Sequence, residues 1–153
     1  MKQILKFAKG LDPVADAFDS TQYSDVFNMK NYKKIRFVIY KGVGTTGTST
    51  ITVEACDDTT PSNTSAVEFM YQAITSGDTP GAIAYATTSG FTTTAGSSQL
   101  YIVSVDAAAL NSSGYGYVRL KMVESVNSPV VGAVLAILSE SRDEREIPAS
   151  AIV

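Results

Sequence analysis

The chain has 153 residues, of which 18% are charged, and its formal net charge is −3. It contains one cysteine, Cys56, and neither histidine nor tryptophan. The length suits a single domain with a substantial core. The missing histidine excludes Ser-His-Asp and Cys-His catalytic groups and zinc sites of the His/Cys type, and the single cysteine excludes a disulfide within the chain. The negative net charge argues against a nucleic-acid backbone as the main partner.

Alternation of apolar and polar residues with a period of two predicts strands along most of the chain, separated by turn-forming residues. Single turns of helix are predicted at Asp12–Phe18 and at Asp106–Asn111. About eight antiparallel strands in two sheets predict an all-β, jelly-roll-like β-sandwich. In chain order, the predicted strands are 22–28, Lys33–Tyr40, Thr48–Cys56, Val67–Ile74, 90–94, Gln99–Asp106, Tyr117–Val123 and Val130–Leu138.

The two ends of the chain lack this strand pattern. We therefore predict an extended N-terminal arm over residues 1–20, a β-sandwich domain over 21–140 and an extended C-terminal arm over 141–153. The C-terminal arm joins the charged stretch Ser141–Glu146 to the apolar stretch Ile147–Val153. Because exposed apolar termini are normally docked on something, this arm either folds back onto its own sandwich or docks on another subunit.

The last predicted strand, Val130–Leu138, is apolar on both faces. It is either a central strand buried on both sides or a strand that presents one face to another subunit. Serine and threonine together account for 33 residues. We predict that their hydroxyl groups line the outer faces of strands, where they satisfy hydrogen bonds without charge. A weakly charged outer surface is typical of a protein that lies against other proteins, since the cores of protein interfaces are depleted in charge.

Three glycines, Gly42, Gly44 and Gly47, have the spacing of a dinucleotide-binding loop. Because a strand and not a helix follows them, we interpret them as a hairpin loop in which glycine supplies positive φ angles. The acidic residues Asp57 and Asp58 fall in a predicted solvated loop, with a loop calcium ion as the alternative. No cofactor, metal site or catalytic constellation is predicted, and we therefore expect no enzyme activity.

No secretory signal or membrane span is predicted. Lys6 and Lys9 interrupt the apolar residues near the N-terminus. The longest apolar stretch, Val130–Leu138, is too short to cross a bilayer as a helix, which needs about 20 residues. We expect a soluble protein that is made in a bacterial cytoplasm and has no membrane or nucleic-acid partner.

Four segments resemble recurrent segments of small structural proteins of tailed bacteriophages. They are KGVGTTGTSTITVEACDD (41–58), SGDTPG (76–81), GYGYVRLK (114–121) and EIPASAIV (146–153). Over about residues 12–153 the chain resembles capsid decoration, or cement, proteins of the jelly-roll type. The resemblance implies a homotrimer on the outer surface of the virion that binds the phage major capsid protein and locks neighbouring capsomers together. It implies no active site, since the family's motifs are structural.

Two alternatives to decoration of the head are left open by the sequence. One is a structural component of the phage tail, collar or baseplate. The other is a lectin-like sandwich that would bind a host glycan through Tyr85, Phe91 and Tyr115.

Apolar residues at the two ends and in the last strand are the candidates for contacts with another subunit or with the capsid. Each is an apolar residue at a place where a lone monomer would have nothing to cover it. The candidates are Ile4, Leu5, Phe7, Val130, Val131, Val134, Leu135, Ile147, Pro148, Ile152 and Val153.

Overall fold

The computed structural model describes residues 5–142 and Ile152, which form two antiparallel β-sheets and one short 3₁₀ helix, Ala107–Ser113. Sheet A contains Lys6–Val14 (β1), Tyr32–Gly44 (β4), Phe69–Ile74 (β7), Ala84–Ala86 (β8), Gln99–Asp106 (β10) and Val130–Ser141 (β12). Sheet B contains Thr21–Tyr23 (β2), Phe27–Asn28 (β3), Thr48–Cys56 (β5), Thr64–Val67 (β6), Phe91–Thr92 (β9) and Tyr117–Val126 (β11).

The strand order is that of a jelly roll with an insertion. Sheet A runs β1-β12-β4-β10-β7-β8, and sheet B runs β2-β11-β5-β6, with β3 paired to β11 and β9 paired to β5. Without β7, β8 and β9, four strands remain in each sheet, counting β2 and β3 as one, and the chain passes back and forth between the sheets. The predicted all-β sandwich is therefore confirmed, and the additional strands lie between β6 and β10.

The core forms where the inward-facing residues of the two sheets meet. In β4 these residues are Ile35, Phe37 and Ile39, and in β5 they include Ile51 and Val53, all almost completely buried. Each such side chain contributes about 1.5–3 kcal/mol on burial. The two layers are in direct contact, as at the edge-to-face pair of Phe27 and Phe37. The period-two pattern of the sequence thus matches the inner faces of the strands.

The glycine-rich segment at the end of β4 and in its connection to β5 is not a hairpin, because the two strands lie in different sheets. Gly42, Gly44 and Gly47 do not have positive φ angles. They are needed for close packing instead: a Cβ on Gly47 would overlap the carbonyl oxygen of Ser128, and one on Gly44 would lie 3.0 Å from Val130. The prediction of a hairpin loop was therefore wrong, and glycine here lets the connection between the sheets approach the chain just before β12.

Two other predicted features also differ from the structure. The predicted helical turn at Asp12–Phe18 is absent, because β1 continues to Val14 and pairs with Gly132 of β12. The predicted strand Val67–Ile74 is two strands, and the chain changes sheets at Glu68. In both places tertiary pairing overrides the local pattern.

A lysine is buried between the sheets near the C-terminal end of β4. Lys41 is 1% exposed, and its Nζ donates to the carbonyl oxygens of Gly47 at 2.9 Å and Thr94 at 2.6 Å. Burial lowers the pKa of this amine. The two hydrogen bonds tie the connection between β4 and β5 to the segment that precedes β10.

Candidate interaction surface

The outer face of sheet A is largely apolar. Strand pairing aligns its side chains in rows, so that Leu135 of β12 pairs with Val38 of β4, which pairs with Ile102 of β10. We call this surface the apolar face. Its apolar members are Phe7, Val38, Tyr40, Met70, Ile74, Tyr85, Leu100, Ile102, Val131, Leu135 and Ile137.

Several large side chains of the apolar face are open to solvent. Phe7 is 61% exposed, Tyr40 56%, Leu135 41% and Tyr85 82%, and the neighbouring Ile83 is 60% exposed. Single exposed apolar residues are common on any protein, but neighbours along paired strands form a contiguous patch. Such a patch is typical of a surface that contacts another protein.

The outer face of sheet B has the opposite character. Glu54 is 7% exposed, and its carboxylate accepts hydrogen bonds from Nε and Nη2 of Arg119 at 2.9 and 2.8 Å. Lys121 lies 3.3 Å from the same carboxylate, and the Arg119 guanidinium stacks over the ring of Tyr23 at 4.0 Å. These polar groups are partnered within the chain.

Hydroxyl groups continue this polar surface on sheet B. The Thr50 hydroxyl lies 3.1 Å from that of Thr92 and 2.8 Å from that of Ser125. Thr52 also donates to the carbonyl oxygen of Lys121. The predicted lining of outer strand faces by hydroxyls is therefore seen on sheet B, while the outer face of sheet A is mainly apolar.

Two grooves indent the apolar face beside β7 and β8. A cavity of about 280 Å³ is lined by residues that include Lys34, Arg36, Ile83 and Ile102. A second cavity of about 330 Å³ shares Met70, Ser104 and Asp106 with the first. We call the second cavity the acidic groove, because its lining also includes Glu68, and no lysine or arginine of the described residues lines it; its other lining residues are Phe69, Tyr85, Ala86, Thr87 and Ala109.

The predicted contact residues of β12 divide between its two sides. Val131 and Leu135 lie on the apolar face, whereas Val130 and Val134 are buried in the core, as the alternation of a strand requires. The strand is therefore not buried on both faces in this chain. Its inner side belongs to the core and its outer side is open. That β12 presents this side to another subunit stays a prediction.

The predicted contact residues at the two ends are only partly described. Leu5 and Phe7 are exposed, and Phe7 lies in β1 at the edge of sheet A. Ile152 forms an isolated antiparallel bridge with Phe27 and packs against the core. That contact matches the alternative in which the C-terminal arm folds back. Ile4, Ile147, Pro148 and Val153 lie outside the described residues.

Several members of the apolar face were missed by the sequence reasoning. Val38, Tyr40, Leu100 and Ile102 were each assigned to a strand, but their side of the strand was not recognised as one surface. The available signal was that adjacent strands carry apolar residues on both faces. The apolar residues of the separate strands could not be assembled into one surface without the strand order, which brings β12, β4 and β10 side by side.

The polar groups singled out in the sequence have structural partners. The Asp57 carboxylate accepts hydrogen bonds from the backbone N–H groups of Asp58, Ser62 and Asn63 and from the side-chain amide of Asn63. These bonds hold the loop in place and lower the pKa of Asp57. Burial raises the pKa of the Cys56 thiol to about 11.

Among residues 5–142 and Ile152, no three Asp, Glu or Cys side chains come together as a metal site. No helix in this part of the chain is long and apolar enough to cross a membrane.

Comparison with known proteins gives a similarity of fold. No protein-family model matches the chain, and a search of curated proteins finds no match. A solved structure of the SPBc2 prophage-derived protein YomS matches with a TM-score of 0.54 and 13% identity, covering 92% of this chain and 96% of that one. The structure of infectious bursal disease virus Gx strain gives a TM-score of 0.27 and 13% identity over 91% of this chain and 42% of that one, which is too low to indicate a common fold.

Proposed function

We propose that this chain is a structural virion protein of a tailed phage, and specifically a head decoration protein that binds the outside of the capsid. The observation that carries the proposal is the apolar face, an exposed apolar sheet surface that the described part of the chain leaves uncovered. The jelly-roll fold and the segments that resemble phage decoration proteins support it. The prophage-derived protein of similar fold is consistent with it.

The physical basis of the proposed function is adhesion. Burial of apolar surface contributes about 25 cal/mol per Å². The members of the apolar face are uncharged, and Lys9 and Arg36 lie beside them on the same side of the sheet. Sheet B supplies rigidity through its internal ion pairs and hydroxyl contacts, so that docking does not have to order the domain. A rigid sandwich with one adhesive face is suited to hold neighbouring subunits of a shell together.

A homotrimer on the capsid is part of the proposal. Linking three subunits multiplies weak capsid contacts through effective concentration, so that no single contact has to be strong. The major capsid protein is the proposed partner, and the outer surface of the virion is the proposed location.

The proposal is tested on the phage whose genome encodes the chain. Deleting the gene should remove protrusions from three-fold positions of the head in electron micrographs and lower the temperature at which heads release DNA. Adding back the purified chain should restore both properties, while heat-denatured chain serves as the control. Unchanged heads, together with recovery of the chain on isolated tails in six-fold or twelve-fold symmetry, would instead assign it to the tail, collar or baseplate.

A glycan array separates the lectin alternative from the structural role. The purified chain should give no specific signal. Two results together would favour glycan recognition over capsid stabilisation. One is glycan binding that is lost when Tyr85 is replaced with alanine, and the other is phage heads that are unchanged after deletion of the gene.

A further inference from the structure

The two edges of sheet A differ in how they are protected against pairing with another strand. At one edge, β1 carries Lys6 and Lys9, contains Pro13 and has two breaks in its register with β12. Its Gly10 carbonyl oxygen already accepts a hydrogen bond from the backbone N–H of Asp25 at 2.7 Å. Charged side chains, proline and irregular pairing are the usual means by which an edge strand avoids another chain. The β1 edge is therefore protected.

The opposite edge strand, β8, carries none of these features. It pairs with β7 in unbroken register through Ala84, Tyr85 and Ala86, and no other segment of the described chain pairs with its free side. The sequence has no charged residue between Asp78 and Asp106. Because an edge strand leaves backbone N–H and C=O groups unpaired, it can bind an extended peptide backbone. The free side of β8 is therefore open to the addition of a strand.

The side chains at the β8 edge favour an apolar strand. Ile83 is 60% exposed and Tyr85 is 82% exposed, and both lie against the grooves of the apolar face. Since β8 is only three residues long, its backbone provides few hydrogen bonds, and apolar contact has to supply much of the affinity. Alternate side chains of an added strand would lie beside Ile83 and Tyr85 and extend the apolar face by one strand.

A carboxylate at the end of β8 adds a charge requirement. Glu68 directly precedes Phe69, which pairs with Ala86, and it lines the acidic groove. Glu68 forms no ion pair with another described residue. Asp106, the second carboxylate of the groove, lies opposite Lys34 of β4 in the strand register. A basic side chain at the end of an added strand would therefore complement Glu68.

We propose that an extended segment of the major capsid protein adds to the free side of β8 as a further strand of sheet A. The segment is uncharged where it pairs with β8, has apolar residues at alternate positions and carries a lysine or arginine that reaches Glu68. Backbone hydrogen bonds hold the segment, and its side chains give the specificity. This inference rests on the proposed function, and it names the contact by which the shell would hold the chain.

The first test is photo-crosslinking on phage heads that lack the chain. A benzophenone amino acid takes the place of Tyr85 in one purified variant and of Val126, an exposed apolar residue of sheet B, in a control. We expect position 85 to cross-link to an uncharged capsid segment with a lysine or arginine at one end, and position 126 to give no capsid cross-link. A cross-link from position 85 to a second copy of the chain would overturn the inference.

Amide hydrogen exchange separates strand addition from contact through side chains alone. Binding to heads should slow the exchange of outward-facing amides in residues 83–87 by about tenfold or more, because they become hydrogen-bonded to the added strand. The amides of β1 serve as the internal control and should keep their rates. Unchanged exchange in residues 83–87 on bound chain would overturn the inference.

The charge requirement is tested by reversing one carboxylate. Glu68→Lys should weaken binding to heads about tenfold at low salt, because it would repel the basic residue of the segment. Asp58→Lys makes the same change of charge in the loop between β5 and β6 and should leave binding unchanged. Circular dichroism establishes that each variant is folded. Equal binding by the two variants would contradict the assigned contact.

Failure of this inference differs from failure of the proposed function. If heads do not bind the chain at all, the proposed function fails and the contact with the shell fails with it. If the chain restores the heads but position 85 gives no cross-link and β8 gains no protection, only the strand addition fails and the proposed function stands.

Discussion

The outer faces of the two sheets differ in whether their side chains find partners within the chain. On sheet B, Glu54, Arg119 and Lys121 neutralise one another, and hydroxyls such as that of Thr50 bond to neighbouring hydroxyls. On sheet A, the side chains of Leu135, Phe7 and Tyr40 lie beside other apolar side chains of the same face and remain largely open to solvent in the described chain. The first face is complete in a single chain, whereas the second is left open, and the proposed function has it covered by a partner.

The largest expected effect concerns Cys56, which ends β5 two residues after Glu54. The reactivity of its thiol reports whether sheet B opens. Its thiol is buried, and its pKa is raised from 9.0 to about 11. Because the thiolate is the reactive form, a pKa two units higher lowers the reaction rate at pH 8 about 100-fold. A thiol reagent should label the folded chain at least that much more slowly than the chain in denaturant, and rapid labelling of folded protein would mean that sheet B opens.

Removing the anionic centre of sheet B should strongly lower stability. Glu54→Ala leaves the guanidinium of Arg119 in a mostly buried position without its carboxylate. We therefore expect a loss of about 3 kcal/mol in the free energy of unfolding. Urea denaturation measures it. The double variant Glu54→Leu with Arg119→Met should recover much of the loss, and a single variant as stable as wild type would show that this ion pair is dispensable.

The hydroxyl contacts on sheet B should each have a smaller effect. Thr50→Val keeps the β-branched shape but removes the contacts to Thr92 and Ser125. Since these groups are exposed and water can replace the bonds, we expect a loss of about 0.5 kcal/mol. Thr21→Val, on the edge strand β2 of the same sheet, is the matched control. A loss as large as that of Glu54→Ala would mean that the hydroxyls rather than the ion pairs hold sheet B.

The smallest effect on folding is expected on the apolar face. Leu135→Ser changes an outward-facing residue and should alter the free energy of unfolding by less than about 0.5 kcal/mol. The same change should reduce binding of a hydrophobic dye and weaken association between copies. A large loss of stability in the monomer would contradict the separation between a structural inner side and an adhesive outer side of β12.

Individual strands could be predicted from the sequence because the alternation of side chains is a local property. Thr48–Cys56 and Gln99–Asp106 have the predicted limits, and the burial of Ile35, Phe37 and Ile39 follows from the same pattern. The glycines at 42–47 were misread for the opposite reason. Their role depends on Ser128 and Val130, which are distant in sequence and reach them only in the folded chain.

The candidate surface was partly predictable as well. Phe7, Val131 and Leu135 were identified from their apolar character at places where a monomer has little use for it, and all three are exposed. The acidic groove was not, because Glu68, Tyr85 and Asp106 come from three segments that only the insertion between β6 and β10 brings together. Neither could the sequence separate the inward-facing Val134 from the outward-facing Leu135 in a continuous apolar run.

The sequence by itself determined the class of this protein: an all-β sandwich, without histidine and with few charges. Composition and period-two alternation are sufficient for that, since they act residue by residue. Only the tertiary structure decided that the hydroxyl contacts and the buried ion pair of Glu54 and Arg119 would lie on sheet B and most of the exposed apolar residues on sheet A. The physical reason is strand order, because a surface exists only once strands that are distant in sequence lie side by side and share a face.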